Sequence, residues 1–285
     1  MQVYYEGLHS VNFWDPKTDP QFDSGNNPWK NSWTDFHLIP SSRPVISPPP
    51  VKKSSIEVIG ANKLIDLTEV PRGFPTYGNR TGTLDFYIDN SDPNYDWASI
   101  YHEIKRQFHG RWLRMYLDDE ASSYYEGRFE VKDWKNGKNI SQISLDYDLD
   151  PFALSMFSTL EEWLWDPFDF LTMDIPSKHE LFSNLEVPSG ETSSSICYSS
   201  DVVGSMPVIP AFYVADSDAN GMSVQVYNSY NEKWSHVITV YNNIDSPTGY
   251  VDPLITFSTP TPGSNTWIFF SGVGKLSIDF RPGRL

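Results

Sequence analysis

Cysteine is almost missing from this chain: Cys197 is the single one among 285 residues. One thiol cannot close an intrachain disulfide or build a Cys-rich zinc site, so nothing here requires an oxidising compartment. Long apolar runs are missing as well, and no stretch approaches the length that spans a bilayer as a helix. The opening Met1-Gln-Val-Tyr-Tyr-Glu has neither the basic region nor the apolar run of a signal peptide, so the expectation is a soluble protein made and kept in a cytoplasm. Positive charge is scarce: 21 Lys and Arg stand against 37 Asp and Glu, for a formal net charge of −16. Such a balance argues against a protein whose main task is to grip phosphate backbones or an anionic membrane. The imbalance is concentrated beyond Leu154, where 5 basic residues face 15 acidic ones, against 16 and 22 before it.

What the chain does have is aromatic side chains, with 16 Tyr, 17 Phe and 10 Trp, a content suited to half-buried sheets and protein contact surfaces. Its clearest element is the stretch from Asp96 to Val131. Trp97, Ile100, Ile104 and Phe108 recur at the spacing of one helical face, and Gly110 is placed to end the helix by taking the left-handed conformation. Trp112 with Met115 to Leu117, then Phe129 with Val131, read as two strands after it. Arg111 and Arg128 fall at related strand positions near acidic neighbours, where structural or intersubunit ion pairs are expected.

The rest reads as strands and loops. Val3 to Tyr5 is a candidate first strand, and Asn12 to Asn31, dense in Asp, Pro, Asn and Gly, reads as a long loop. Five prolines between Phe36 and Val51 remove ladder donors and predict an edge strand or an extended arm. Ile56 to Ile59, Leu64 to Leu67, Thr83 to Ile88 and Ile140 to Leu149 read as further strands, and Pro151 to Leu154 closes a first domain. Beyond it, the aromatic cluster Trp163 to Leu171 reads as strand and turn. Strand-like runs then follow at Val208 to Ala215, Met222 to Tyr227, His236 to Tyr241, Leu254 to Phe257, Thr266 to Phe270 and Lys275 to Arg281. Their short, even spacing predicts an antiparallel β-sandwich. The expected class is mainly β, with a β-rich N-terminal domain carrying one helix (residues 1–154) and a C-terminal sandwich (155–285).

No catalytic or metal constellation stands out, and the chain reads as a non-enzyme without a cofactor. His102-Glu103 opens like the zincin motif, but Arg106 occupies the position of the second ligand. Asp216, Asp218, Asn220 and Gly221 reproduce the start of a calcium loop, yet Tyr227 stands where the bidentate acid belongs, so an Asn-Gly hairpin turn is the simpler reading. Asp118-Asp119-Glu120 and Glu161-Glu162 are adjacent acids, a pattern that does not show a pair across a cleft, so solvated turns are the simpler reading. Gly272-Val-Gly274 precedes a strand and does not open a helix, so it marks a turn.

One set of residues carries a resemblance. In order they are Ser42-Arg-Pro-Val-Ile-Ser-Pro-Pro, Gly60-Ala-Asn with Ile65-Asp-Leu-Thr-Glu, Asn79-Arg80, His109-Gly-Arg, Leu117-Asp-Asp, Tyr124-Tyr-Glu-Gly-Arg, Trp165-Asp-Pro-Phe-Asp-Phe and the closing Gly272-Val-Gly-Lys-Leu-Ser-Ile-Asp-Phe-Arg-Pro-Gly-Arg-Leu. This succession resembles the distal tail proteins (Dit) of long-tailed bacteriophages that infect Gram-positive bacteria. The resemblance implies an N-terminal domain that closes into a ring, usually of six copies, around the tail channel, with a galectin-like sandwich outside it. It implies a virion protein of the tail tip, assembled in the host cytoplasm. Its partners would be its own copies, the tail tube, the tail-associated lysin or fibre protein and receptor-binding proteins. DNA would pass through the lumen without sequence-specific contact, and no membrane partner is implied. Arg43, His109, Arg111, Tyr124, Tyr125 and Arg128 are the candidate ring-interface residues. The alternative reading is a carbohydrate-binding β-sandwich adhesin for wall sugars, with Trp234 and Trp267 as its exposed aromatics.

Overall fold

A computed structural model describes residues 9–17, 28–59, 62–70, 75–89, 97–137, 140–160, 179–204, 206–228, 232–257 and 265–285. Val3 to Tyr5 and Trp163 to Leu171 lie outside them. The protein is mainly β and divides into two compact units, Met1–Thr68 with Pro75–Ala153, and Leu154–Leu285 with Glu69–Phe74. Among the described residues no helix is long and apolar enough to cross a membrane.

The first unit contains β1 (Val11–Trp14), β2 (Lys30–Asn31), β3 (Ile39–Pro40), β4 (Ser55–Ile56), β5 (Ile65–Asp66), β6 (Arg80–Asp89), α1 (Trp97–Phe108), β7 (Arg111–Leu117), β8 (Ser123–Lys135) and β9 (Ile140–Leu149). Seven of these strands form a path in the order β2-β1-β7-β8-β9-β6-β3, each pair antiparallel. Alternation sends Leu84, Phe86 and Ile88 of β6, Leu113, Met115 and Leu117 of β7, and Ile143, Leu145, Tyr147 and Leu149 of β9 into one core. The helix covers that core with Ile104 and Phe108. Phe108 meets Phe13 edge-on at 4.7 Å and Phe36 at 4.9 Å, geometries that favour aromatic contact beyond simple area burial. Gly110 (φ 72°) ends the helix in the left-handed region, as expected of the residue after its last turn. The proline-rich stretch enters the sheet only at β3, on its edge, where missing N–H donors cost least.

One expectation for this unit fails. The start of the presumed loop from Asn12 to Asn31 is β1, a strand buried along its whole length between β2 and β7. Asn12 disguised it, because its amide is satisfied inside the fold: Nδ2 donates to Asp118 at 2.6 Å, and Oδ1 accepts from Asn31 at 3.0 Å.

The strand β10 (Ala153–Ser155) falls at the division in the chain, and the second unit has α2 (His179–Phe182), β11 (Ser193–Ser199), α3 (Ser200–Val203), β12 (Ala211–Ala215), β13 (Met222–Asn228), β14 (Lys233–Trp234), β15 (Ile238–Val240), β16 (Tyr250–Val251), β17 (Asn265–Ser271), β18 (Lys275–Asp279) and β19 (Gly283–Arg284). A five-stranded sheet, β11-β17-β13-β14 with β15 also on β13, faces a three-stranded one, β16-β12-β18. Val224, Val226, Ile268 and Phe270 from the first share a core with Phe212, Val214, Leu276 and Ile278 from the second, which is a β-sandwich. One expected hairpin changes meaning here. The Asp218-Ala-Asn-Gly221 turn joins β12 to β13, strands of different sheets, so it is a corner of the sandwich and closes no hairpin, and the turn expected at Gly272 to Gly274 joins β17 to β18 as a second such corner. Leu254 to Phe257 contributes a single bridge, Val208 to Phe257, in place of a full strand.

Candidate functional site

The residues singled out in sequence fall around α1 and the turn after β7. At the helix end, the Val131 N–H donates to His109 Nδ1 (3.2 Å) and the Arg128 guanidinium donates to the Gly110 carbonyl (2.5 Å). Arg128 lies opposite Asp148 in the β8–β9 register, yet the bond the structure gives it goes to this helix-end carbonyl, a group that has no partner inside the helix. Arg111 donates to Asp15 on the chain leaving β1, at 3.2 Å. Three strands and the helix are thereby tied at one corner by polar contacts.

A second cluster lies at the turn Asp118–Glu120. Asp119 takes His9 Nδ1 at 2.8 Å and Arg43 Nε at 2.9 Å, which joins the proline-rich stretch to the start of β1. The hydrogen bond from His9, then that from Arg43, holds the Asp119 carboxyl below the usual carboxylate range. Asp118 accepts from Asn12, and Glu120 from the Tyr125 hydroxyl at 3.3 Å. Each acid of this turn is used to fasten the fold.

Tyr124 and Tyr125, expected at a ring interface, are both buried within the unit. Consecutive residues of a strand face opposite ways, so the two rings enter different layers. Tyr125 joins the core beneath α1, and burial, with Glu120 nearby, pushes its hydroxyl up to about 12. Tyr124 packs on the other side of the sheet with Trp29 and Arg114. The chain itself covers both rings, so neither offers an open face to a second copy.

Arg114 went unnoticed in the sequence. Its guanidinium lies 4.6 Å from the Trp14 ring centre and 5.1 Å from that of Tyr124, and Nε donates to Glu126 at 2.6 Å. Trp29 closes the group at 5.5 Å from Trp14 and 4.8 Å from Tyr116. The available signal was alternation: Arg114 and Glu126 are a directly opposed pair on the side of the sheet away from α1.

A third feature is the ribbon of β4 and β5, paired only with each other. Its base is hydrogen-bonded to the unit through Lys52 to Thr76 and Gly78 to Pro50, both at 2.8 Å. Above that base Ile56, Val58, Ile59, Leu64 and Ile65 are exposed. A lone two-stranded ribbon is marginal in water, and aliphatic side chains clustered on one mark a contact surface.

Of the motif fragments, Glu103 bonds Arg106 and Gln107 on its own helix, and Asp218 accepts from the Asn220 N–H inside its corner. Neither arrangement gathers groups for chemistry.

The fold therefore defines a class: a mainly β chain pairing a sheet-and-helix unit with a β-sandwich. No protein-family model matches the chain, and no curated protein matches it in sequence. Among solved structures it is similar to the crystal structure of the Dit protein (gp 19.1) of phage SPP1, with a TM-score of 0.56 and 13% identity over 96% of this chain and 99% of that one. SPP1 Dit is described as a paradigm of the hub adsorption apparatus in phages that infect Gram-positive bacteria. What the two chains share at that identity is the fold, and this chain has the fold of a phage distal tail protein.

Proposed function

We propose that this chain is a structural hub protein of a phage tail tip and that its first unit closes into a ring, with six copies the expected number. The ring would join the tail tube to the tail-associated lysin or fibre protein and to receptor-binding proteins, leaving a passage for DNA during adsorption. The second unit is the galectin-like sandwich on the outside.

The observation that carries the self-assembly is the uncovered β4–β5 ribbon. Full burial of one aliphatic side chain contributes roughly 1.5–3 kcal/mol, so covering the ribbon's exposed positions supplies several kcal/mol per contact. A second copy is the natural cover, because a head-to-tail contact that repeats with closing rotation makes a ring. Extension of the likeness across nearly the whole of both chains supports the hub reading over that of a lone sandwich adhesin. Charge fits the passage: six copies at −16 each bring a formal −96, and acidic groups in the lumen would repel phosphate and keep DNA from sticking.

Static light scattering of the purified chain tests this. Wild type is expected as a multimer, and Ile56→Asp with Ile65→Asp, which place charge in the contact at exposed positions, is expected as a folded monomer. A variant that assembles as well as wild type removes the ribbon from the interface.

A further inference from the structure

The outward face of the five-stranded sheet is unlike the rest of its unit. Beyond Leu154 the chain has 15 acidic and 5 basic residues, yet among the residues of β11, β13, β14, β15 and β17 only Lys233 is charged. Alternation turns Lys233 to the opposite side from Trp234. A solvated sheet face ordinarily carries charged side chains, and this one carries aromatic rings and hydroxyls.

The register sets these groups in rows. Trp234 of β14 stands opposite Tyr227 of β13, which stands opposite Trp267 of β17, and the rings of Trp234 and Tyr227 are 5.0 Å apart. Trp234 is 51% exposed and Trp267 41%, although both are large apolar side chains. Beside this row Phe269, 37% exposed, lies between Ser195 and Gln225. The next row is made of hydroxyls on four strands: Ser193 opposite Ser271, Ser271 opposite Ser223, and Ser223 opposite Thr239.

We infer that this face binds a neutral polysaccharide, with the Trp234-Tyr227-Trp267 row stacking on the apolar faces of successive pyranose rings and the neighbouring hydroxyl and amide side chains bonding their hydroxyls. Three observations select that occupant. Strands about 4.8 Å apart place successive aromatic positions at a spacing of the same order as one sugar unit of an extended chain. Hydroxyl and amide groups donate and accept at once, as sugar hydroxyls do, while the lack of Lys and Arg on the face leaves nothing to neutralise an anionic polymer or nucleic acid. Protein interfaces are depleted in Ser, and here Ser fills most of the row beside the aromatics, which disfavours a second protein as the cover.

Affinity electrophoresis of the full chain tests the assignment, using native gels cast with galactomannan, with mixed-linkage β-glucan or with polygalacturonate. Migration is expected to be retarded by at least one neutral polymer and not by polygalacturonate. Trp234→Ala and Trp267→Ala are each expected to weaken the retardation by about tenfold, an exposed stacked ring being worth on the order of one decade in affinity. Both positions are exposed, and circular dichroism establishes that the variants are folded. Unretarded migration in both neutral gels, equal retardation by polygalacturonate, or variants as retarded as wild type would each overturn the inference. So would a fall in oligomer size caused by Trp267→Ala, which would assign the face to another copy. The hub reading is independent of the gels, since it stands or falls on whether wild type assembles.

Discussion

Gly127→Ala isolates what holds the central sheet together. Gly127 sits on β8 between Leu113 of β7 and Leu149 of β9. A methyl group added there would lie 2.2 Å from the Asp148 carbonyl oxygen and 2.5 Å from the Leu149 Cα. Carbon normally meets a carbonyl oxygen between strands at roughly 3.3–3.6 Å, so the overlap is about 1 Å, and both obstacles are backbone that no rotamer change can move. Relief requires β9 to shift away from β8. Overpacking of this kind costs about 1–3 kcal/mol, and a weakened ladder bond adds about 1 kcal/mol, for a total near 3 kcal/mol. Gly110→Ala is the matched comparison, with nothing within 4 Å of the added carbon and only the φ of +72° opposing it. The left-handed conformation costs a residue with a side chain about 1–2 kcal/mol. Differential scanning calorimetry reads both. At about 2–4 °C per kcal/mol, the transition carrying the first unit should fall by about 10 °C for Gly127→Ala and by about half that for Gly110→Ala. A Gly127→Ala protein that melts with wild type, or above Gly110→Ala, refutes the close-approach argument.

Three further outcomes are expected. Asp119 has its carboxyl held low by His9 and then Arg43, so its contribution is present above the ordinary carboxylate pKa and is lost as pH falls through the depressed folded value; Asp119→Asn should flatten the acid side of the stability profile in urea titrations below about pH 4. Tyr125, pushed up to about 12, and Tyr198, raised by burial, keep their protons in the fold after an unfolded chain begins to lose them near pH 10. Their contribution is therefore intact below pH 10 and falls as pH rises toward the folded values, so alkaline melts should show Tyr125→Phe losing less stability than wild type between about pH 10 and 12. Arg128→Ala removes the bond to the Gly110 carbonyl; because the side chain is exposed, melts should show a loss of only about 0.5–1 kcal/mol, and light scattering should show weaker ring assembly, with an unchanged oligomer distribution counting against a subunit contact there.

Much of the fold was legible because its burial follows simple periods. The helical spacing of Trp97, Ile100, Ile104 and Phe108 matches α1, and the alternation from Ile140 to Leu149 is β9 residue for residue. Elements that escaped are those in which polar residues occupy strand positions and break the apolar pattern. Asn12 hid β1, and the serines of β11 hid a strand that pairs along its whole length with β17. The corner at Gly221 looked like a hairpin because local sequence encodes the turn, while the assignment of each strand to a sheet depends on residues far away in the chain. For the candidate site, the tie between Arg111 and Asp15 spans 96 positions and that between Arg43 and Asp119 spans 76, separations at which no periodicity operates. The Arg114 group required knowing that Trp14 and Trp29 come to the same side of the sheet.

The proposed hub role requires this chain to close into a ring. Negative-stain imaging of the purified full chain should show closed particles with a central hole and six-fold averages, converted to single particles by Ile56→Asp with Ile65→Asp. Compact particles without a hole, or rings that survive those substitutions unchanged, would contradict it.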